Sequence, residues 1–183
     1  MPTITTNGIR QNYELTGSGQ TTMVWIHGIG SSLEYWNNDL EQFKNLQHLS
    51  YDVRGMGNSD GTPDAVSLEI WAQDLSMLLE SLDIEKAIIA GSSMGGAIAQ
   101  RFAIDFPEKT QALLLLSTSS RVGEAATAHW MEQANETESS GKIFLAQAQR
   151  AVASYNMDEE LKSISVPTLI IVGDADPTTP PGG

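Results

Sequence analysis

The chain has 183 residues, 40% hydrophobic and 18% charged, and its 10 Lys and Arg against 23 Asp and Glu give a net charge of −13. That length suits one domain with a sizeable core, and the acidic balance, with no basic run interleaved with aromatics, excludes nucleic acid and anionic membrane as partners. Absence of cysteine removes disulfides, thiolate catalysis and Cys-ligated metals; with no signal-peptide pattern in MPTITTNGIRQ and no aliphatic run longer than Ala112–Leu116, a cytoplasmic protein is expected.

In chain order, Thr3–Thr6 and Ile9–Leu15 flank Asn7-Gly8, a dipeptide suited to a tight hairpin turn. Thr22–Ile26 is a mostly apolar run, the mark of a buried strand, and it ends abruptly in His27-Gly28-Ile29-Gly30. Trp36, Leu40 and Phe43 stand at helical spacing and predict a short helix over Leu33–Phe43. Gln47–Val53 reads as a further strand, followed by the glycine-rich loop that runs through Asp52-Val53-Arg54-Gly55-Met56-Gly57-Asn58-Ser59 to Pro63. Ser67 is placed to cap a helix whose Leu68, Trp71, Leu75, Leu78, Leu79 and Leu82 form one apolar stripe.

Next comes Ala87–Gln100, AIIAGSSMGGAIAQ: an apolar strand, then Gly91-x-Ser93-x-Gly95, then a helix-favouring segment ending near Phe106-Pro107. Gly-x-Ser-x-Gly between strand and helix lifts a serine hydroxyl out of a sheet on a strained turn. Ala112–Leu116 is the next buried strand, and strand character returns at Thr168–Val172, followed by Gly173-Asp174-Ala175-Asp176-Pro177. Between them, Ser119 to Ile164 reads as an insertion with helical pieces around Glu124–Gln133 and Lys142–Ser154, joined by a polar stretch from Asn135 to Gly141. Alternation of strands and helices with short connections argues for a mostly parallel α/β sheet.

An acyl-transfer serine needs exposure, oxyanion donors, a base, and an acid that orients the base. Glycines at 91 and 95 allow strand and helix to pass closely while Ser93 takes a strained backbone. The Met94 N–H, at the positive end of the following helix, is one oxyanion donor; the second is expected from the loop after the Trp25-Ile26 strand, at Ile29. Trp36, Met94, Trp130 and Ile29 are candidates for an apolar substrate pocket. Asp52, Arg54 and Ser59 read as loop-building residues, and Asp158-Glu159-Glu160 as a solvated helix start. No His, Asp and Glu cluster has metal-ligand spacing, and the glycine-rich loops lack the lysine of a phosphate-binding loop, so neither metal nor cofactor is expected.

These motifs together carry a family resemblance. His27-Gly28 follows one strand, Asp52-x-Arg54-Gly55-x-Gly57-x-Ser59 the next, Gly91-x-Ser93-x-Gly95-Gly96 a third, and Val166-Pro167-Thr168 precedes Gly173-x-x-Asp176. In that order they resemble the serine-nucleophile branch of the α/β-hydrolase fold, from about His27 to Asp176. HGIGSSLEYW with GSSMGG is similar to 3-oxoadipate enol-lactonases and small esterases, and also to carbon–carbon hydrolases of aromatic-ring degradation. The resemblance implies a core at 1–118 and 165–183, a short helical cap at 119–164, and Asp176 as the acid, with Asp174 second.

It also implies the order Ser, Asp, His. His27 reads as an orderer of backbone, His48 as a core or edge residue and His129 as an exposed helix residue, so none is a good base. The expectation is therefore a C-terminally truncated hydrolase, without its final strand, closing helix and catalytic histidine, acting on a small ester or lactone. A catalytically silent relative that binds a small ligand is the second reading. Either way the sheet is expected to keep an exposed apolar edge and only marginal stability.

Overall fold

The computed structural model describes residues 2–64, 66–176, 178 and 179; Met1, Ala65, Pro177 and positions 180–183, which the 1–118 and 165–183 reading includes, lie outside the described residues. Seven strands form one sheet: β1 (Thr3–Thr6), β2 (Ile9–Gly17), β3 (Thr22–Ile26), β4 (Gln47–Tyr51), β5 (Ala87–Ser92), β6 (Thr110–Leu116) and β7 (Thr168–Ile171), in the order β1-β2-β4-β3-β5-β6-β7. Asn7 and Gly8 both take positive φ (46° and 75°), as a two-residue hairpin turn of primed type demands, and β1 pairs antiparallel with β2. β2 is antiparallel to β4, and every pairing from β4 through β3, β5 and β6 to β7 is parallel. This is the mostly parallel α/β sheet with flanking helices expected from the sequence.

Side chains on a strand alternate between faces, and the core divides accordingly. Val24, Ile26, Leu49, Tyr51, Ile89, Leu113 and Leu115 face α1 (Leu68–Ser81) and α2 (Met94–Asp105), packing against Trp71, Leu75, Leu78, Ile98 and Phe102. Each such buried side chain contributes roughly 1.5–3 kcal/mol of transfer free energy. Met23, Trp25 and Ala90 face the other way and gather a smaller cluster with Trp36. The Ser67 side chain accepts from the Ile70 N–H and caps α1 as anticipated.

Two elements differ from expectation. Leu33–Phe43 is not one helix but two 3-10 turns, Leu33–Trp36 and Leu40–Phe43. Asn37-Asn38-Asp39 between them compete poorly for helix, and the break lets Trp36 and Phe43 both reach Trp25, with ring centroids 5.0 and 5.6 Å away. The polar stretch after Asn135 is not a linker: α3 runs through it, over Glu124–Ser139, and the turn closes at Gly141 with φ 83°. Arg150, on α4 (Ile143–Ala151), donates to Glu138 (2.6 Å) and Asn135 (3.1 Å), which holds that last turn without apolar burial. No helix among the described residues is long and apolar enough to cross a membrane.

Two buried carboxylates tie the loops to the sheet. Asp52 accepts from the Leu33 N–H (2.7 Å), the Asn58 N–H (2.7 Å) and Asn12 Nδ2 (2.8 Å), and a Cβ at Gly57 would collide with its carboxyl group. Arg54 makes a fork with Asp74 on α1, its Nε 2.7 Å from Oδ2, and also donates to the Asn7 carbonyl (3.0 Å). Ser59 Oγ accepts from the Asn12 N–H (2.9 Å) and donates to Asp52 O (2.7 Å), so Asp52, Arg54 and Ser59 all build the loop, as read.

Arg54 and Asp74 are 6% and 1% exposed. Arg54→Ala therefore strands a buried charge, and chemical denaturation should show a loss of about 3–5 kcal/mol. At the sheet edge, Leu169 and Ile170 on β7 are 57% and 65% exposed. An apolar-surface dye should fluoresce with the native chain and lose signal in a Leu169→Lys, Ile170→Thr double variant that still melts cooperatively.

Candidate active site

Parallel strands deliver their following loops to one end of a sheet, where ligand sites of open α/β folds form. Here that end collects His27–Gly30 after β3, Ser93 after β5, Ser117-Thr118 after β6 and the Asp176 loop after β7. Ser93 has φ 54° and ψ −118°, a left-handed backbone unusual outside glycine. Neighbouring glycines make that turn possible: a Cβ on Gly91 would strike the Gly95 carbonyl, and one on Gly95 would strike the backbone of Ile26.

The turn is tied on every side. Ser93 N–H donates to Leu116 O (2.9 Å), while the Ser93 carbonyl accepts from Gly96 N–H (2.9 Å), Ala97 N–H (3.1 Å) and Thr118 Oγ1 (2.9 Å). Ser93 stays half-exposed although residues on both sides of it are buried. Gly28 lies beside it, where a Cβ would come 3.7 Å from Ser93 Cβ.

A cavity of about 190 Å³ opens over Ser93. Ile29, Met94 and Trp130, three of the residues anticipated from the sequence, line it. Val122, Ala126 and Val152 extend its apolar wall, and Thr118, Ser119, Arg121, Tyr155, Thr178 and Thr179 supply polar groups. The volume is below the roughly 300–1,000 Å³ typical of drug-sized ligands, so the space suits a small molecule. The Met94 N–H belongs to the first turn of α2, where backbone donors have no partner within the helix.

Trp36 does not line this cavity. It is buried against Trp25 in the smaller core cluster, because the 3-10 turn that carries it packs onto the face of the sheet opposite α1 and α2. Asp176 does not line it either, but its loop does. Its carboxylate accepts from Thr178 N–H (2.9 Å), Thr179 N–H (3.0 Å) and Thr179 Oγ1 (2.8 Å), and both threonines reach the cavity. Those bonds, the Thr179 N–H foremost, hold the Asp176 carboxyl down at about 2. Asp174 is exposed.

The histidines are otherwise engaged. His27 Nδ1 donates to Gly28 O (2.7 Å) and its Nε2 accepts from Val53 N–H (3.1 Å), so both ring nitrogens serve the backbone. Burial pushes its pKa down. His48 accepts from Trp25 Nε1 (3.1 Å) and donates to Phe43 O (3.1 Å). His129 sits exposed on α3 beside Trp130, outside the cavity wall. Among the described residues no group of three or more His, Asp and Glu is placed to hold a metal ion.

Sequence reasoning missed Arg121, Tyr155 and the threonine pair. Position just beyond the C-terminal end of β6 could have flagged Arg121, since that end carries the site. Tyr155 had no such signal: its hydroxyl donates to Ser119 O (3.2 Å) across 36 residues, and burial raises its pKa.

The fold and the serine turn define a class, and comparison with known proteins agrees: the chain belongs to the alpha/beta hydrolase fold family, whose model matches residues 21–154. It is similar to 3-oxoadipate enol-lactonase 2 of Acinetobacter baylyi, 25% identical over 97% of this chain and 80% of that protein. The 2-hydroxymuconate semialdehyde hydrolase of a Pseudomonas species is 33% identical over 61% of this chain and 41% of its own length. Among solved structures, a hydrolase from Pseudomonas aeruginosa superposes with a TM-score of 0.88, at 25% identity over 98% of this chain and 82% of that one.

His27 carries a pH signature. Its folded pKa lies below the ordinary 6.5, so between those values the unfolded chain takes up a proton that the folded chain refuses. Stability should therefore fall as pH drops below about 6.5. Urea midpoints measured from pH 7.5 to 5.5 should show that slope, and His27→Asn should flatten it whatever its offset in stability.

Proposed function

We propose that the chain is the major part of a serine hydrolase that cleaves a small carboxylic ester or lactone through an acyl-enzyme at Ser93. In this reading Ser93 Oγ attacks the substrate carbonyl and its proton passes to a base. Ile29 and Met94 N–H groups hold the oxyanion, and the alcohol or ring oxygen leaves with that proton. Water, deprotonated by the same base, then releases the acid and restores Ser93. Losing either oxyanion donor would cost about 3 kcal/mol of transition-state stabilisation. Residues 119–164 act as the cap, and no cofactor or metal takes part.

The observation that carries the reading is Ser93 at positive φ, half-exposed under a cavity whose wall includes Ile29, Met94 and the two threonines that hold Asp176. Asp176 is the acid that orients the base, preferred to Asp174 because its carboxylate is ionised and fixed by donors. The base is a histidine other than His27, His48 and His129, whose ring nitrogens or positions are committed elsewhere, and we place it after Gly183 in the full reading frame.

The engaged histidines also favour a second reading, a relative that binds a small ligand without turning it over. The similarity to a semialdehyde hydrolase keeps a carbon–carbon bond as the alternative target. Removing the base from a serine triad costs roughly 10⁶-fold in kcat. The 183-residue chain should accordingly show almost no Ser93-dependent hydrolysis of p-nitrophenyl acetate. The chain lengthened to the next Gly-His should gain it and lose it again with Ser93→Ala. Normal turnover by the 183 residues, abolished by Ser93→Ala, would overturn the placement of the base; no turnover by the lengthened chain would overturn the hydrolase.

A further inference from the structure

Helix α4 begins with three large apolar residues, Ile143, Phe144 and Leu145, and successive residues on a helix point about 100° apart. They cannot share one face. Phe144 and Leu145 instead reach two different loops, those after β4 and β3, and both meet glycine there. We infer that this first turn is a latch that seats α4 on both loops at once, which makes Phe144 and Leu145 positioning residues for the Ile29 oxyanion donor. The inference rests on the hydrolase reading of Ser93 and adds to it what holds the donor loop in place.

The first seat is lined by glycine. A Cβ at Gly61 would overlap the Phe144 ring, and one at Gly55 would stand 3.0 Å from Phe144 Cβ. Gly55 has φ 79° and needs glycine for its backbone alone, whereas Gly61 takes no positive φ. At Gly61 it is the ring that leaves no room for a side chain. Gln147 Nε2 donates to Pro63 O (3.0 Å), so Phe144 and Gln147, three apart on one face, grip the same loop. That loop is braced independently of the helix. Gly55 N–H donates to Asp60 O (3.0 Å), Ser59 N–H to Met56 O (3.1 Å) and Asp60 N–H to Arg10 O (2.9 Å).

The second seat is on the donor loop. A Cβ at Gly30 would lie 3.7 Å from Leu145 Cδ1, an ordinary packing distance next to Ile29. Leu145, Ala148 and Val152 follow at i, i+3 and i+7 along one face, and Val152 shares the wall of the Ser93 cavity with Ile29. The turn of the donor loop is closed by Ser31 N–H to Gly28 O at 3.3 Å, longer than the usual range of about 2.7–3.2 Å. So weak a closure leaves the path of the loop to the groups that hold it, His27 at Gly28 and Leu145 at Gly30.

The latch is shallow. The Phe144 ring is 43% exposed, and α3, which packs on α4, buries only Ala134 of its own residues. Loss of the ring should free the start of α4 rather than unfold the sheet.

The test is amide hydrogen exchange on the 183-residue chain, resolved by NMR, which needs no base. Ala146 N–H, bonded to Lys142 O (3.1 Å), reports the first turn of α4, and Ser31 N–H reports the donor loop. Phe144→Ala should speed exchange at both about tenfold, the scale of a half-buried ring. Ala97 N–H, bonded to Ser93 O at the start of α2, should stay unchanged. Leu145→Ala should speed Ser31, and Leu145→Met should restore it. Gly61→Ala should match Phe144→Ala on its own but add less than about twofold in the double variant, because its Cβ then fills space the ring has left. In the lengthened chain, Leu145→Ala should lower kcat about tenfold at unchanged KM, part of the roughly 10²–10³-fold that one oxyanion donor supplies.

Faster exchange at Ala146 with Ser31 unchanged, a Ser31 amide without protection in the parent chain, or a Gly61→Ala effect that survives in the Phe144→Ala background overturns the latch. So does an unchanged kcat for Leu145→Ala in an active lengthened chain. Failure of the hydrolase reading looks different: the coupled exchange persists and the latch stands, while the lengthened chain turns over no ester.

Discussion

Two missing Cβ atoms, at Gly91 and Gly95, set the geometry on which the rest of the site depends. Strand β5 and helix α2 cross so closely that any side chain at either position would meet backbone, from Gly95 itself or from Ile26 on the neighbouring strand. The chain must then reverse within one residue, and Ser93 absorbs the turn at positive φ. A non-glycine residue there costs of order 1–3 kcal/mol. It persists because the turn is over-determined: the N–H is bonded to β6, the carbonyl to the first turn of α2 and to Thr118.

From that crossing the rest follows by contact. Gly28 lies against Ser93, so the loop after β3 can stand over the serine only if its own path is held. His27 holds it, buried and neutral, bridging Gly28 O and Val53 N–H. Asp52 fixes the next loop by taking three donors from Leu33, Asn12 and Asn58. Arg54 ties it to α1 through Asp74 and to the hairpin turn through Asn7. Such buried charges contribute little net stability against their desolvation; what they specify here is where the loops run.

Much of this was legible in the chain. Asn7-Gly8, Ser67 and the all-apolar Thr22–Ile26 each announced a turn, a cap or a strand through local chemistry, and each stands where it was read. The spacing of Trp36, Leu40 and Phe43 misled, because periodicity records which residues seek cover and is silent on whether one helix or two short turns deliver them. The stretch from Asn135 misled in the opposite sense, since ion pairs to Arg150 on another helix stabilise a segment that has almost no apolar face.

The sequence by itself determined the order of strands and helices, the serine turn and the residues that flank it, because turn chemistry and apolar period act over a few neighbours. Only the tertiary structure decided which side chains share the cavity. It sent Trp36 to the far face of the sheet and brought Arg121, Tyr155 and Thr179 around Ser93. Those residues meet across long stretches of chain, through strand order and loop-to-loop hydrogen bonds, and no local pattern encodes such distances.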